Sequence, residues 1–333
     1  MALLKSTDEI LQFLPASVSA DYDRIKPFLD VAEDRFLKKL FGNAFWDEIT
    51  AQNDNPQDGK VVLDQVIGMS KRAEIHLAYF KGFDALNVKI DDSGFHRTED
   101  DNTRSLFNYQ EKNLKEYFQT TGLNTLDVIL EYMEDNIDID DMSTWKESDA
   151  CTQYRRYFIN SAKEFHEQYD IDKSRLVFLN LVPYMKYVED REIEPLIGPP
   201  LFDKMKSLIK NGTIDDGSNE PYNNLLSRIQ ETVAPYTVLY AIGNLGMHFS
   251  DRGALFSDFM VAGENIEKES YDSNRAQEVK EFVKDKIAHY VGRLSSYLLS
   301  NKDSLPEYEE FIGDDYEPYE PSFDNTDKKI HRL

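Results

Sequence analysis

The sequence predicts a mainly α-helical protein: a tandem duplication of one helical unit, each copy carrying a small β-hairpin, followed by an extended C-terminal arm. Three observations lead there. A block of residues recurs at a fixed shift, apolar positions inside each block step by three and four, and the composition changes after Asn301.

The recurring block runs from Ala20 to Ile49 and lines up without gaps on Leu176 to Met205, a shift of 156. Pro27 falls on Pro183, Glu33-Asp34-Arg35 on Glu189-Asp190-Arg191, Leu40 on Leu196, Gly42 on Gly198 and Asp47 on Asp203. Two unrelated amphipathic helices would share apolar spacing only, whereas here glycine, proline and charged residues return in the same order. The likeness extends both ways as the shift grows from 155 to 165. Leu4, Ser6 and Glu9 return as Ile159, Ser161 and Glu164; Ala73, Tyr79 and Gly82 as Ala234, Tyr240 and Gly243; Lys115, Glu116 and Tyr132 as Lys280, Glu281 and Tyr297. The expected division is therefore 1–152, 153–301 and an arm over 302–333.

Within each copy the elements follow in order. Tyr22, Ile25, Leu29, Ala32, Phe36 and Leu40 form one apolar stripe on a helix that stops near Gly42. Pro27 and Pro183 lie inside this pattern, so each helix either starts near its proline or kinks there. Second helices are expected over roughly Val66 to Leu86 and Leu225 to Met247. Asp92-Ser93-Gly94 and Asp251-Arg252-Gly253 then mark a turn between extended residues, the signal for a small hairpin. A last helix closes each copy. The run Asp135 to Asp141 reads as a solvated linker between them. From Asp303 to Asp324 there are nine acids and no Lys or Arg, with Pro306, Pro318 and Pro321 breaking any helix. Tyr308, Phe311, Tyr316, Tyr319 and Phe323 are spaced along this stretch, and aromatics on an extended acidic strand gain most from a partner's groove. It is expected to be a docking arm, the other reading being a disordered solubilising tail.

Composition narrows the function. Apolar residues make up 41% of 333 and aromatics 12%, enough to build cores. The formal charge of −24, from 62 acids and 38 bases, disfavours a surface that grips phosphates, though DNA could slide past an acidic wall without sticking. Cys151 is the single cysteine, which excludes an intrachain disulfide and a thiolate zinc cluster. No stretch approaches 18 uncharged apolar residues and no signal-peptide run opens the chain, so a soluble protein without membrane contact is expected.

Catalytic and cofactor motifs are missing: no GxxxxGK[ST], GxGxxG, HExxH, GxSxG or paired CxxC occurs. The six histidines are scattered, and the acidic runs lack the glycine and closing glutamate of a calcium loop. No catalytic residue, cofactor or metal is expected. The charged trio Glu33, Asp34, Arg35 and its copy Glu189, Asp190, Arg191 occupies adjacent helical positions that point in different directions, so it reads as a repeated interface or a surface salt-bridge feature.

A leading helix, an amphipathic helix running into Leu40-Phe41-Gly42 with Phe45-Trp46 and Ile49 after it, and then a long helix resemble the head-to-tail connector (adaptor or head-completion) proteins of tailed bacteriophages. The second copy repeats the pattern as Leu196-Ile197-Gly198, Leu201-Phe202 and Met205. In size and duplication the chain also resembles ring proteins of crAss-like phages. The resemblance implies a structural virion protein, in the host cytoplasm during assembly, that forms a homo-oligomeric ring of twelve copies below the portal. Its partners would be itself, the portal protein and other tail or connector proteins, with DNA passing through. The alternative is a cytoplasmic helical protein-interaction module without catalytic activity.

Overall fold

The computed structural model describes residues 3–14, 21–86, 88–91, 94–97, 106–245, 247–250, 253–256 and 273–313. The chain divides into two compact, mainly helical units, Met1–Gln153 and Tyr154–Leu333. None of the described helices is long and apolar enough to cross a membrane.

Unit 1 begins with α1 (Thr7–Leu11), whose N-cap Ser6 accepts from the Glu9 amide. Then comes α2 (Tyr22–Ala32), capped by Asp21. A single π-helical turn, Glu33–Leu37, joins it to α3 (Lys38–Phe41); the Lys38 amide reaches back five residues to the Glu33 carbonyl. Ile25, Leu29, Ala32, Phe36 and Leu40 are all buried, as their spacing requires. Pro27 and Pro183 sit inside their helices, which therefore start upstream of them. Gly42, at φ +77°, ends α3 in a conformation that disfavours any Cβ, and α4 (Asn43–Asp54) leaves in a new direction. The 26-residue α5 (Val61–Leu86) is apolar on most faces and packs against α2, α4 and α6. Strands β1 (Val88–Asp91) and β2 (Gly94–Arg97) pair antiparallel, and α6 (Asn108–Asp135) returns along α5. A 3-10 turn, Asp140–Met142, leads to α7 (Ser143–Lys146) and α8 (Asp149–Thr152).

Unit 2 repeats this order. It runs α9 (Ala162–Gln168), α10 (Arg175–Val188), a π-helical turn over Glu189–Ile193, α11 (Glu194–Ile197), Gly198 at φ +85°, and α12 (Pro199–Asn211). The central α13 (Glu220–Leu245), the antiparallel pair β3 (Met247–Ser250) and β4 (Gly253–Phe256), and α14 (Ser273–Ser300) follow. A 3-10 turn at Lys302–Ser304 and α15 (Pro306–Ile312) complete the described chain.

Two expectations need correction. Asp135 to Asp141 is solvated over Asp138, Ile139 and Asp140 but does not link the units: it lies inside unit 1, where Asp141 is buried and Met142 and Trp145 just beyond it belong to the core. Nor does an extended arm begin at 302. Asn136 and Asn301 end α6 and α14 alike, each side-chain amide donating at 2.8 Å to the carbonyl four residues back, Tyr132 in one unit and Tyr297 in the other. Met142 and Trp145 then fill the place in unit 1 that Leu305 and Tyr308 fill in unit 2, all four at most 1% exposed. Tyr308 is thus a core residue of its own unit, and Phe311 packs on Gly198. Pro306 breaks nothing because it stands at the first position of α15, where an amide would lack a partner anyway. Tyr316, Tyr319 and Phe323 lie outside the described residues.

Candidate functional site

The trio repeated in both units opens each π-helical turn, and its members part company. Asp34, Arg35, Asp190 and Arg191 are exposed; Glu33 and Glu189 are 2% and 1% exposed. Burial contradicts the reading of those two glutamates as interface residues. Each first glutamate follows a buried apolar residue by four positions, Leu29 before Glu33 and Met185 before Glu189, which places it on the inward side of its helix. Outside, Asp34 pairs with Lys38 at 2.7 Å, and the Arg191 guanidinium stands 5.7 Å from the Tyr187 ring centroid.

The buried carboxylates are satisfied by different donors. Glu33 Oε1 accepts from the Trp46 indole at 2.9 Å and pairs with the Lys38 ammonium at 2.8 Å. Hydrogen bonds from Lys38 to Asp34 and to Glu33 push its own pKa up to about 12. At the shift of 156, Trp46 becomes Phe202, which has no donor, and Lys38 becomes Glu194. Unit 2 compensates one turn further along: Thr50 is replaced by Lys206, whose ammonium pairs with Glu189. The Phe158 amide donates to the other Glu189 oxygen at 2.6 Å, and Lys206 also donates to the Arg156 carbonyl at 3.0 Å and sits 4.1 Å from the Phe158 ring centroid. Burial pushes the Glu189 carboxyl up and the Lys206 ammonium down, and their mutual attraction opposes both.

Sequence reasoning missed a third buried acid in unit 1. Glu74, in the middle of α5, is wholly buried, and its two oxygens accept from the Leu3 and Leu4 amides at 3.2 and 3.3 Å. It ties the N-terminal segment to the central helix. Burial, helped by the Glu33 charge and opposed by the two amides, raises its pKa to about 8. The available signal was an acid inside the apolar run Ala73 to Phe80. Asp141 was missed as well; it accepts from the Val62 amide at 3.2 Å at the start of α5 and pairs with Lys60 at 3.1 Å. In unit 2, Glu307 of α15 accepts from the Tyr222 hydroxyl at 2.7 Å near the start of α13, and Glu192 accepts from Tyr240 at 2.6 Å.

These acids hold turns, helix starts and chain segments in place. Each partner named here lies in the acid's own unit. His76 is buried, its Nδ1 2.8 Å from the Arg72 carbonyl, with its pKa lowered by burial. Among the described residues, no group of three or more His, Cys, Asp or Glu is placed to hold a metal ion. The depression lined by Asp58, Lys60, Asp140 and Asp141 opens on the surface, with Lys60 paired to Asp141.

A family model described as a family of unknown function, DUF6712, matches residues 26–155 and again 193–312. The chain belongs to this family. The first DUF6712 segment covers unit 1 from residue 26 and ends two residues beyond it, the second lies within unit 2, and the pair fits a tandem duplication. The second segment ends at Ile312, the last residue of α15, so the family pattern includes the helix that fills the place of α7. Comparison with curated proteins and with solved structures returned no match.

Proposed function

We propose that this DUF6712 protein is a structural virion protein: a ring-forming connector below a bacteriophage portal that continues the DNA channel and joins capsid to tail. The observation that carries the reading is one helical scaffold used twice, with its buried polar groups committed to architecture: Glu33, Glu74, Asp141, Glu189 and Glu192 all hold backbone or side chains of their own unit. Such a chain supplies surfaces. Its net charge of −24 lets DNA pass without being gripped. By the resemblance, twelve copies form the ring, portal and tail proteins are its neighbours, and the segment beyond Gly313, with Tyr316, Tyr319 and Phe323, docks on one of them.

Electron microscopy of the purified chain, alone and with a portal protein, tests this. Rings coaxial with the portal are expected. A chain that stays strictly monomeric in both samples sinks the reading.

A further inference from the structure

The long closing helices each carry an apolar feature that the described residues of their own unit leave uncovered. On α6, Phe118, Gly122, Ile129 and Met133 are buried, yet a second stripe lies in solvent: Phe107 is 69% exposed, Leu114 38%, Tyr117 44% and Val128 51%. Phe107, Leu114 and Val128 share a seven-residue repeat whose remaining member is Thr121, and Tyr117 stands three beyond Leu114. This is the spacing of a seam meant for another helix. On α14 the equivalent of Tyr117 at the shift of 165 is Phe282, 59% exposed, and on the same face at helical spacing follow Lys286, His289 and Arg293.

Charge selects the occupant. Helix α6 carries six acids against two bases, whereas α14 carries five bases against three acids in a chain whose net charge is −24. Pairing α6 with another α6 would set acid against acid, and the acidic segment after Gly313 would meet the same repulsion. A basic, aromatic helix face suits it best.

We propose that the exposed stripe of α6 in one copy docks on the Phe282 to Arg293 face of α14 in a second copy. The contact joins different patches, so a docked pair keeps one free α6 stripe on one copy and one free α14 face on the other, and association propagates beyond a dimer into a ring or a filament. Phe282 and Tyr117 form the aromatic centre, and Lys286 and Arg293 approach the acidic flank of α6.

The contact stands apart from the connector reading, since a chain that self-assembles without ever meeting a portal would satisfy it. Cysteine cross-linking of the full chain tests it, with the native Cys151 buried. Mixed Tyr117→Cys and Phe282→Cys chains are expected to yield a covalent dimer that neither yields alone, and the double variant a ladder of multimers. Leu114→Glu with Val128→Glu, both at exposed positions, should keep the wild-type ellipticity while the sedimenting species falls to a single chain of 38.7 kDa. Cross-links closing within one chain, a dimer of Tyr117→Cys alone, no cross-link, or an assembly unaffected by the two glutamates each overturn the proposal. Rings that bind portal yet cross-link through other faces would sink this contact and spare the connector; multimers that ignore portal would do the reverse.

Discussion

Replacing Glu74 by glutamine isolates the cost of burying a titratable carboxyl under the N-terminal segment. The group titrates near 8 in the folded protein against an ordinary value of 4.5, so folding favours its protonated form. The sign follows: the stabilisation is complete below pH 4.5 and is lost as pH climbs through 8. At about 1.4 kcal/mol per pH unit, the span corresponds to roughly 5 kcal/mol, a ceiling of which about 3 kcal/mol is already gone at pH 7. The substituted amide copies the neutral acid, keeping one acceptor for Leu3 or Leu4, and does not ionise. Both tryptophans, Trp46 and Trp145, lie in unit 1, so selectively excited tryptophan fluorescence during urea unfolding reports that unit. Between pH 5 and pH 8.5 the wild type should lose several kcal/mol more stability than Glu74→Gln, with near-equal values at the acid end. Parallel pH profiles for the two proteins would refute the reasoning, because a solvated or fully compensated carboxylate predicts them.

Four further outcomes follow from the same geometry. Gly198→Ala should destabilise more than Gly42→Ala: both force a Cβ onto a left-handed backbone at about 1–3 kcal/mol, but at Gly198 it also meets the Phe311 ring, whereas the nearest atom at Gly42 is the Ser148 Cβ at 3.5 Å. Adding Phe311→Ala should narrow the gap in melting temperature; an unchanged gap counts against the clash. Lys206→Met strands the buried Glu189 carboxylate and should cost about 3 kcal/mol, and Glu189→Gln in the same chain should return part of it by denaturant titration. Truncation after Asn301 removes Leu305 and Tyr308 and should cost unit 2 at least the roughly 3–5 kcal/mol of a large core truncation beyond any effect of truncation after Gly313, which keeps both. Equal stability of the two truncations would restore an arm beginning at 302. Trp46→Phe, which deletes the indole donor to Glu33, should cost about 1–3 kcal/mol in the same urea assay, now read by Trp145 alone.

Much of the fold was legible in the linear chain because apolar periodicity and glycine stops are local. The stripe from Ile25 to Leu40, the ends at Gly42 and Gly198, and the long helices that became α5, α6, α13 and α14 all rest on neighbours within a few residues. Helices α4 and α12 left a fainter trace, as apolar residues after the glycine. The candidate site was legible only as a repetition. Glu33-Asp34-Arg35 announces that something is retained twice, but a carboxylate's partner depends on which helix crosses it.

The sequence by itself determined the helical class, the order of the elements and the recurrence of one unit, since these follow from spacing along the chain. Only the tertiary structure decided that Glu33, Glu74 and Glu189 are buried, that Lys206 replaces Trp46 as the donor one turn further along, and that Tyr308 closes unit 2 as Trp145 closes unit 1. Those residues are far apart in the sequence. A buried charge is tolerated only where a distant donor meets it, and an acidic, proline-marked stretch reads as an arm until the hydrophobic corner it covers is in place.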